Sequence, residues 1–281
     1  MITASIVTYK NNNTQLEKAI NSFLNTDLKI KLYIIDNSPT NEIKQICNDD
    51  RIEYFLNNSN IGFGAGHNIA IKKSVENSKY HLVLNPDIYF NAGTIEKLYD
   101  FMENNPDVGL IMPKVLYPDG SVQYLCKLLP TPSDLILRRF IPFEGIKEKR
   151  NRIYELRYTG YDKIMDVPYL SGCFMFMRTE ALMKVGLFDE RFFMYLEDTD
   201  LSRIIHKCYR TLYYPEVSVF HGYEKGSYKN PILLKHHIMS AIKYFNKWGW
   251  FFDKERREIN RRTLEKLGYS GISEKTRQPC L

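Results

Sequence analysis

Short apolar runs that stop abruptly at polar residues alternate, along the first hundred positions, with stretches whose apolar residues recur every three or four. Ile2 to Thr8, Ile30 to Asp36, Ile52 to Asn57 and His81 to Asn85 read as strands, because continuous runs of this length bounded by polar turns suit strands buried on both faces. Thr14 to Phe23 (Leu16, Ala19, Ile20, Phe23) and Thr94 to Asn104 (Ile95, Leu98, Phe101, Met102) read as amphipathic helices. A further helix is expected to start near Gly66. This alternation predicts an α/β fold with a mostly parallel sheet and helices on both faces.

The second half changes style. Val108 to Met112 and Val115 to Leu125 predict a hairpin turning at Tyr117-Pro118-Asp119-Gly120. Lys127 to Asp162 is irregular, with Pro130, Pro132 and Pro142 beside Arg138, Arg139, Lys147 and Arg150, and reads as a mobile loop or a surface insertion. Phe174 to Met177 is a strand, Arg178 to Val185 a helix capped by Thr179, and another helix opens at Glu197. Arg210 to Tyr214 and Val217 to Phe220 are two more short strands.

Ligands of open α/β sheets bind where the strands end, so the residues there carry the chemistry. Thr8-Tyr9 and Asp36-Asn37 close two neighbouring strands and offer an aromatic face and a carboxylate to a nucleoside, although Asp36 equally suits a helix cap. Asn85-Pro86-Asp87 is either a strand-ending turn or the place where a carboxylate holds a divalent cation against a diphosphate. Gly62, Gly64 and Gly66 would let backbone N–H groups approach an anion, yet their spacing and place after the third strand do not match the dinucleotide fingerprint. Glu197 and Asp198 suit the dipole of the helix they open, or supply a general base in partly apolar surroundings. His221, at the end of the last strand, is a structural histidine or a metal or phosphate contact.

Composition narrows the class without choosing the activity. The chain has 281 residues, 44% of them hydrophobic and 26% charged, which is ordinary for a globular protein with a substantial core. Five scattered cysteines without a C-x-x-C spacing indicate neither a disulfide framework nor a zinc site and fit a reducing cytosol. No window approaches the ~18 apolar residues of a spanning helix, and Met1 leads directly into a strand with no signal-peptide pattern. From Gly226 onward twelve Lys or Arg face five Asp or Glu, so the formal +6 of the chain resides in its tail. There Leu234, Ile238, Ala241, Ile242, Phe245, Trp248 and Phe252 recur at helical spacing among cations, a pattern that fits a peripheral membrane contact, a helix packed on the preceding domain or a second subunit in a homo-oligomer. No nucleic-acid-binding motif accompanies the basic tail.

The order of motifs resembles glycosyltransferase family 2, the inverting type with a GT-A fold. The resemblance rests on Ser5-Ile6-Val7-Thr8-Tyr9, Ile34-Ile35-Asp36-Asn37-Ser38, Asn60 to Asn68, Leu84-Asn85-Pro86-Asp87, Ser171-Gly172-Cys173-Phe174-Met175, Phe188 to Leu201, and Pro215 to His221. It implies a GT-A type, Rossmann-like sheet over residues 1–225, with a nucleotide-sugar-binding half (1–112) and an acceptor and catalytic half (113–225), followed by a helical tail (226–281). By that resemblance Thr8, Tyr9, Asp36 and Asn37 contact the nucleoside, and Asn60, Gly62, Asn68 and Asn85 line the nucleotide-sugar pocket. Ser171, Gly172 and Cys173 border the sugars, Asp87 and His221 hold Mg2+ or Mn2+ at the diphosphate, and Asp198 beside Glu197 is the base. Asn85 replaces the first acid of the family's D-x-D motif, leaving one carboxylate for the metal.

The resemblance looks closest to bacterial rhamnosyltransferases, so the expected reaction moves L-rhamnose from dTDP-L-rhamnose to a saccharide or lipid-linked saccharide in the cytoplasm, at the inner face of the cell membrane. The alternatives are a UDP-hexose donor on the same fold, a nucleotidyltransferase, or a non-catalytic carbohydrate-binding protein. Thr8-Tyr9-Lys10-Asn11-Asn12 lacks the glycines that a nucleotidyltransferase loop would carry.

Overall fold

A computed structural model describes residues 1–135, 144–222 and 230–269; Arg138, Arg139, Pro142 and residues 270–281 lie outside it. The strands are β1 (Ile2–Thr8), β2 (Ile30–Asp36), β3 (Ile52–Leu56), β4 (Tyr80–Leu84), β5 (Ile88–Phe90), β6 (Val108–Leu116), β7 (Cys126–Lys127), β8 (Met165–Asp166), β9 (Tyr169–Leu170), β10 (Phe174–Arg178) and β11 (Arg210–His221). The main sheet runs β3-β2-β1-β4-β10-β6-β11-β5, with β8 also paired to β11, and β7 and β9 form a separate pair. Neighbours from β3 to β4 are parallel, as are β6 and β11, whereas β10 is antiparallel to both β4 and β6.

That one reversed strand decides where the loops fall. Because β10 runs against β4, its first residue Phe174 pairs with Leu84 at the end of β4. The segment Ser171-Gly172-Cys173 is thereby laid against Asn85-Pro86-Asp87. At the opposite edge β5 is antiparallel to β11, pairing Ile88 with His221. Asp87 and His221 therefore meet although 133 residues of chain separate them.

Helices α1 (Asn13–Leu24), α2 (Phe63–Ser74), α3 (Thr94–Asn104), α4 (Pro132–Leu135), α5 (Glu144–Tyr154), α6 (Thr179–Val185), α7 (Glu197–His206), α8 (Pro231–Trp248) and α9 (Lys254–Lys266) complete the chain. The apolar stripes expected on α1 and α3 are the faces they bury: Leu16, Ala19, Ile20 and Phe23, and Ile95, Leu98 and Met102. Helix α2 begins at Phe63, earlier than the glycine pattern suggested. A Cβ on Gly64 would come within 2.9 Å of Phe188 Cβ, and one on Gly66 within 2.8 Å of Val7 Cγ2. These two glycines are required by close packing.

Several local expectations are corrected. The Tyr117–Gly120 turn forms, but its second arm makes only the bridge Leu116 to Val122 and no strand. Arg210 to His221 is one strand with an irregularity between Tyr214 and Ser218, because β6 pairs with both of its halves. Thr179 does not cap α6; its hydroxyl donates to the carbonyls of Ser78 and Lys79. Around Pro130 and Pro132 the chain is not simply a loop: it forms α4, and further on α5. The turn after α7 closes with Cys208 and Tyr209 N–H groups donating to Ile205 O, with no positive φ at either residue.

Inside the sheet a polar chain is fully buried. Ser5 Oγ lies 2.7 Å from His67 Nδ1 and 2.8 Å from His81 Nε2, and Thr3 Oγ1 lies 2.8 Å from His81 Nδ1. Burial holds both imidazoles neutral, pushing His81 down to about 3 and His67 well below its ordinary range.

The tail packs onto the preceding domain. Ala241, Tyr244 and Phe245 of α8 share a small core with Leu135, Phe192 and Leu196. The stripe read from sequence is only partly buried: Ile238 is exposed, and Phe252 lies beyond the end of α8, which Gly249 closes at φ +99°. No helix of the described residues is long and apolar enough to cross a membrane.

Candidate active site

A cavity of about 910 Å³ opens at the strand ends, lined among others by Asn85, Ser171, Gly172, Cys173, Glu197, Asp198 and His221. Its base is stitched by hydrogen bonds between segments far apart in sequence. Asn85 N–H donates to Cys173 O (2.9 Å), and Gly172 N–H donates to Asp198 Oδ2 (2.8 Å). A Cβ on Gly172 would lie 3.0 Å from Asp198 Cβ, so glycine is what lets the carboxylate come this close. Tyr169 Oη donates to the same oxygen at 3.4 Å, and Thr199 N–H holds Asp198 Oδ1 at 2.7 Å.

Asp198 owes its position to the start of α7. The two residues before the helix, Tyr195 and Leu196, both adopt left-handed conformations, φ +70° and +67°. For side chains with a Cβ this costs about 1–2 kcal/mol per residue, and strain of this kind gathers at functional sites. Contacts from elsewhere hold the bend: Ser240 Oγ donates to Met194 O at 2.8 Å, and Phe63 N–H donates to Phe193 O at 2.9 Å. Gly62 belongs to the same brace, since at φ +93° a Cβ there would meet Phe193 O at 2.4 Å.

The two acids at this helix start are electrostatically unlike ordinary surface carboxylates. Burial, and then the neighbouring Asp198 charge, push Glu197 well above its usual range, and its Oε2 has no hydrogen-bond partner among the described residues. Burial raises Asp198 too, against the opposing pull of the Gly172 N–H, the Lys127 ammonium and Thr199. A carboxylate of raised basicity facing a cavity is suited to accept a proton from a hydroxyl.

At the other side of the cavity, His221 Nε2 lies 3.4 Å from Asp87 Oδ1 and 3.5 Å from Asn85 Nδ2. The ring is oriented by Gln123, which sequence reading missed. Gln123 donates through Nε2 to the carbonyls of His221 (2.9 Å) and Leu116 (3.4 Å), so its Oε1 is left to accept from His221 Nδ1 at 3.0 Å. With Nδ1 carrying the proton, Nε2 turns its lone pair toward Asp87. An imidazole nitrogen and a carboxylate oxygen directed at one space fit a divalent cation whose remaining positions are taken by diphosphate oxygens and water. No group of three or more protein His, Cys, Asp or Glu side chains converges on a metal position among the described residues. Burial, then the nearby charges of Asp87 and Asp198, push the Cys173 thiol up to about 12, which places both acids around one thiol.

The expected nucleoside contacts fall elsewhere on the same sheet edge. Asp36 is fully buried, and its oxygens accept from Thr8 Oγ1 (3.2 Å), Ser38 N (2.9 Å) and Tyr54 Oη (2.7 Å), so it caps a turn and no helix. Tyr9 is exposed. Asn37 donates to Gly62 O (3.2 Å) and Asn60 Oδ1 (3.4 Å), tying the second and third strand ends to the turn before α2. Asn68 is spent on Phe188 N, Phe188 O and Glu190 Oε1, bracing the segment that leads to α7. The structure thus brings Asn85, Asp87, Gly172, Cys173, Asp198 and His221 together. Asp36, Asn37 and Asn68 build the scaffold around them.

The family model described as glycosyl transferase family 2 matches residues 5–186. A low-salt glycan biosynthesis hexosyltransferase of Haloferax volcanii is 27% identical over 179 residues, 63% of this chain and 52% of its own length. An N-acetylglucosaminyl-diphospho-decaprenol L-rhamnosyltransferase of Mycobacterium tuberculosis is 27% identical over 234 residues, 78% of this chain and 76% of its own. The chain therefore spans about half of the first relative (52%) and three quarters of the second (76%). Among solved structures, a mannosyltransferase of Pyrobaculum calidifontis in complex with GDP-Man and Mn2+ superposes with a TM-score of 0.56 at 13% identity, over 97% of this chain and 76% of that one. At that identity the likeness is one of fold.

Proposed function

The chain belongs to glycosyl transferase family 2, and from that premise we propose that it is an inverting hexosyltransferase moving a sugar from a nucleotide diphosphate donor to a saccharide or lipid-linked saccharide acceptor. The observation that carries the proposal is the chain of contacts Asp198–Gly172–Cys173–Asn85, ending on the Asp87 and His221 pair. These contacts support the reading, because single displacement at an anomeric carbon requires a base and a diphosphate site close to one another. The relative named as an N-acetylglucosaminyl-diphospho-decaprenol L-rhamnosyltransferase supports L-rhamnose as the sugar and a lipid-linked saccharide as the acceptor; we take dTDP-L-rhamnose as the donor and the cytoplasmic face of a membrane as the place of reaction.

In this mechanism Asp198 accepts the proton of the attacking acceptor hydroxyl, and its raised basicity favours that step at neutral pH. Gly172 and Thr199 hold the carboxylate so that the accepting lone pair faces the cavity. Glu197, buried with an unmatched oxygen and pushed toward its protonated form, contacts a sugar hydroxyl without competing for the same proton. Asp87 and His221 would hold Mg2+ or Mn2+. Such an ion, when bound, neutralises charge developing on the departing diphosphate. Cys173 and Ser171 form the wall between the two sites. No covalent sugar–enzyme bond is needed, so the anomeric configuration inverts.

A thermal-shift panel of nucleotide sugars with Mn2+, followed by assay of nucleoside diphosphate release with acceptor, tests the proposal. A true donor raises the melting temperature by mass action. No stabilisation by any nucleotide sugar, and no release, would overturn it.

A further inference from the structure

We propose that the turn between α8 and α9 is a lipid-surface contact, in which Phe251 and Phe252 enter the acyl boundary of a bilayer whose anionic headgroups meet Lys254 and Arg257. Phe252 and Phe251 are 89% and 69% exposed, the two most exposed large apolar side chains among the described residues. Two adjacent phenyl rings held in water are unfavourable unless something covers them.

The rings do not protrude because the segment is loosely held. Gly249 N–H donates to Phe245 O (2.8 Å) and Trp250 Nε1 to Asn246 Oδ1 (2.8 Å), while the Phe245 and Trp250 rings lie 5.2 Å apart. Arg256 Nη2 donates to Trp250 O at 3.1 Å and Arg257 Nη2 to Phe251 O at 3.0 Å. Asp253 caps the next helix through Arg256 N at 2.8 Å. The backbone is braced on both sides, and only the two rings project.

Charge selects the occupant. Lys254 and Arg257 are exposed beside the rings, whereas the acids of the same turn are already paired: buried Asp253 with Arg203, and exposed Glu255 with Arg203 and Lys207. The exposed charge that these pairs leave over beside the rings is positive. Adjacent aromatics, a half-buried tryptophan and exposed cations on one rigid turn match an anionic headgroup layer over an acyl interior.

The test uses the full chain and vesicles of phosphatidylcholine with or without phosphatidylglycerol. The chain should float with the anionic vesicles, less so at high salt, and the variant F251S/F252S should bind at least about tenfold more weakly. Both side chains are exposed, so its thermal midpoint should not move. As a second measurement without any substitution, brominated lipid should quench the tryptophan emission of the unaltered chain. Absence of flotation and quenching, or equal flotation by the variant, would overturn the inference. So would light scattering in which the variant loses a dimer and not lipid binding, which would assign the rings to a second copy. Nucleotide-sugar stabilisation needs no vesicles, so failure here and failure of the transferase proposal are read separately.

Discussion

Arg203 on α7 and Asp253 at the start of α9 form a two-pronged ion pair, Nη1 to Oδ2 at 2.7 Å and Nη2 to Oδ1 at 2.9 Å, with both side chains buried. On the same helix Asp200 accepts from Trp248 Nε1 and Lys247 Nζ, each at 2.7 Å, and the Trp248 ring lies 4.0 Å from the Arg203 guanidinium. The helix that opens with Glu197 and Asp198 is therefore clamped from behind by the tail. Breaking one partner of a buried pair leaves the other charge uncompensated, at a cost of about 3–5 kcal/mol. Arg203→Met should show a loss of that size in denaturant unfolding. A chain ending at Gly222 should lose its cooperative melt, because Phe192 and Leu196 lose their core partners as well.

Gln123 sets which nitrogen of His221 faces Asp87. Gln123→Leu removes the acceptor for Nδ1–H and frees the ring to take the other tautomer. Loss of an orienting partner typically weakens metal affinity about 10–100-fold. Mn2+ titration followed by calorimetry in the presence of nucleoside diphosphate should show a drop in that range, and the melting temperature should fall as well, because the carbonyls of His221 and Leu116 lose their donor.

Asp198→Asn keeps the shape of the cavity and removes the proposed base. Nucleotide-sugar binding should survive in a thermal-shift assay while turnover falls by about a thousandfold, within the range for loss of a positioned base. In the unaltered chain burial raises Asp198 from the ordinary aspartate value, so kcat/KM should rise with pH along a limb displaced upward from that of free aspartate. Substantial residual turnover in the variant would assign the base elsewhere.

His67 and His81 predict an acid-sensitive fold. Both are held neutral by burial, with His81 near 3 in the folded chain, while in the unfolded chain each titrates near ~6.5. Folded values below the unfolded ones mean that the unfolded state binds more protons. Their contribution is thus complete above pH ~6.5 and is lost as pH falls from there toward 3, at about 1.4 kcal/mol per pH unit for each histidine. Urea unfolding between pH 7 and 5 should show this slope, and His81→Gln should flatten it.

Local pattern determined much of this protein. The bounds of β1, β2 and α3 and the start of α7 follow directly from where apolar runs stop and helical spacing begins, because burial on a strand or a helix face is a matter of period. The polar caps Asn85-Pro86-Asp87 and Glu197-Asp198 were legible for the same reason: they interrupt those patterns. Tertiary structure alone decided which caps share a cavity, since that depends on β10 running against β4 and on β5 pairing back to β11. It gave Gln123, an unremarked residue after a turn, control of His221. It also tied Asp36 and Asn68 into the framework beside the cavity and docked the basic tail behind the helix that opens with Glu197 and Asp198. Periodicity reports how a segment meets the core, whereas partners a hundred residues away are chosen by strand order and crossover, which no local window contains.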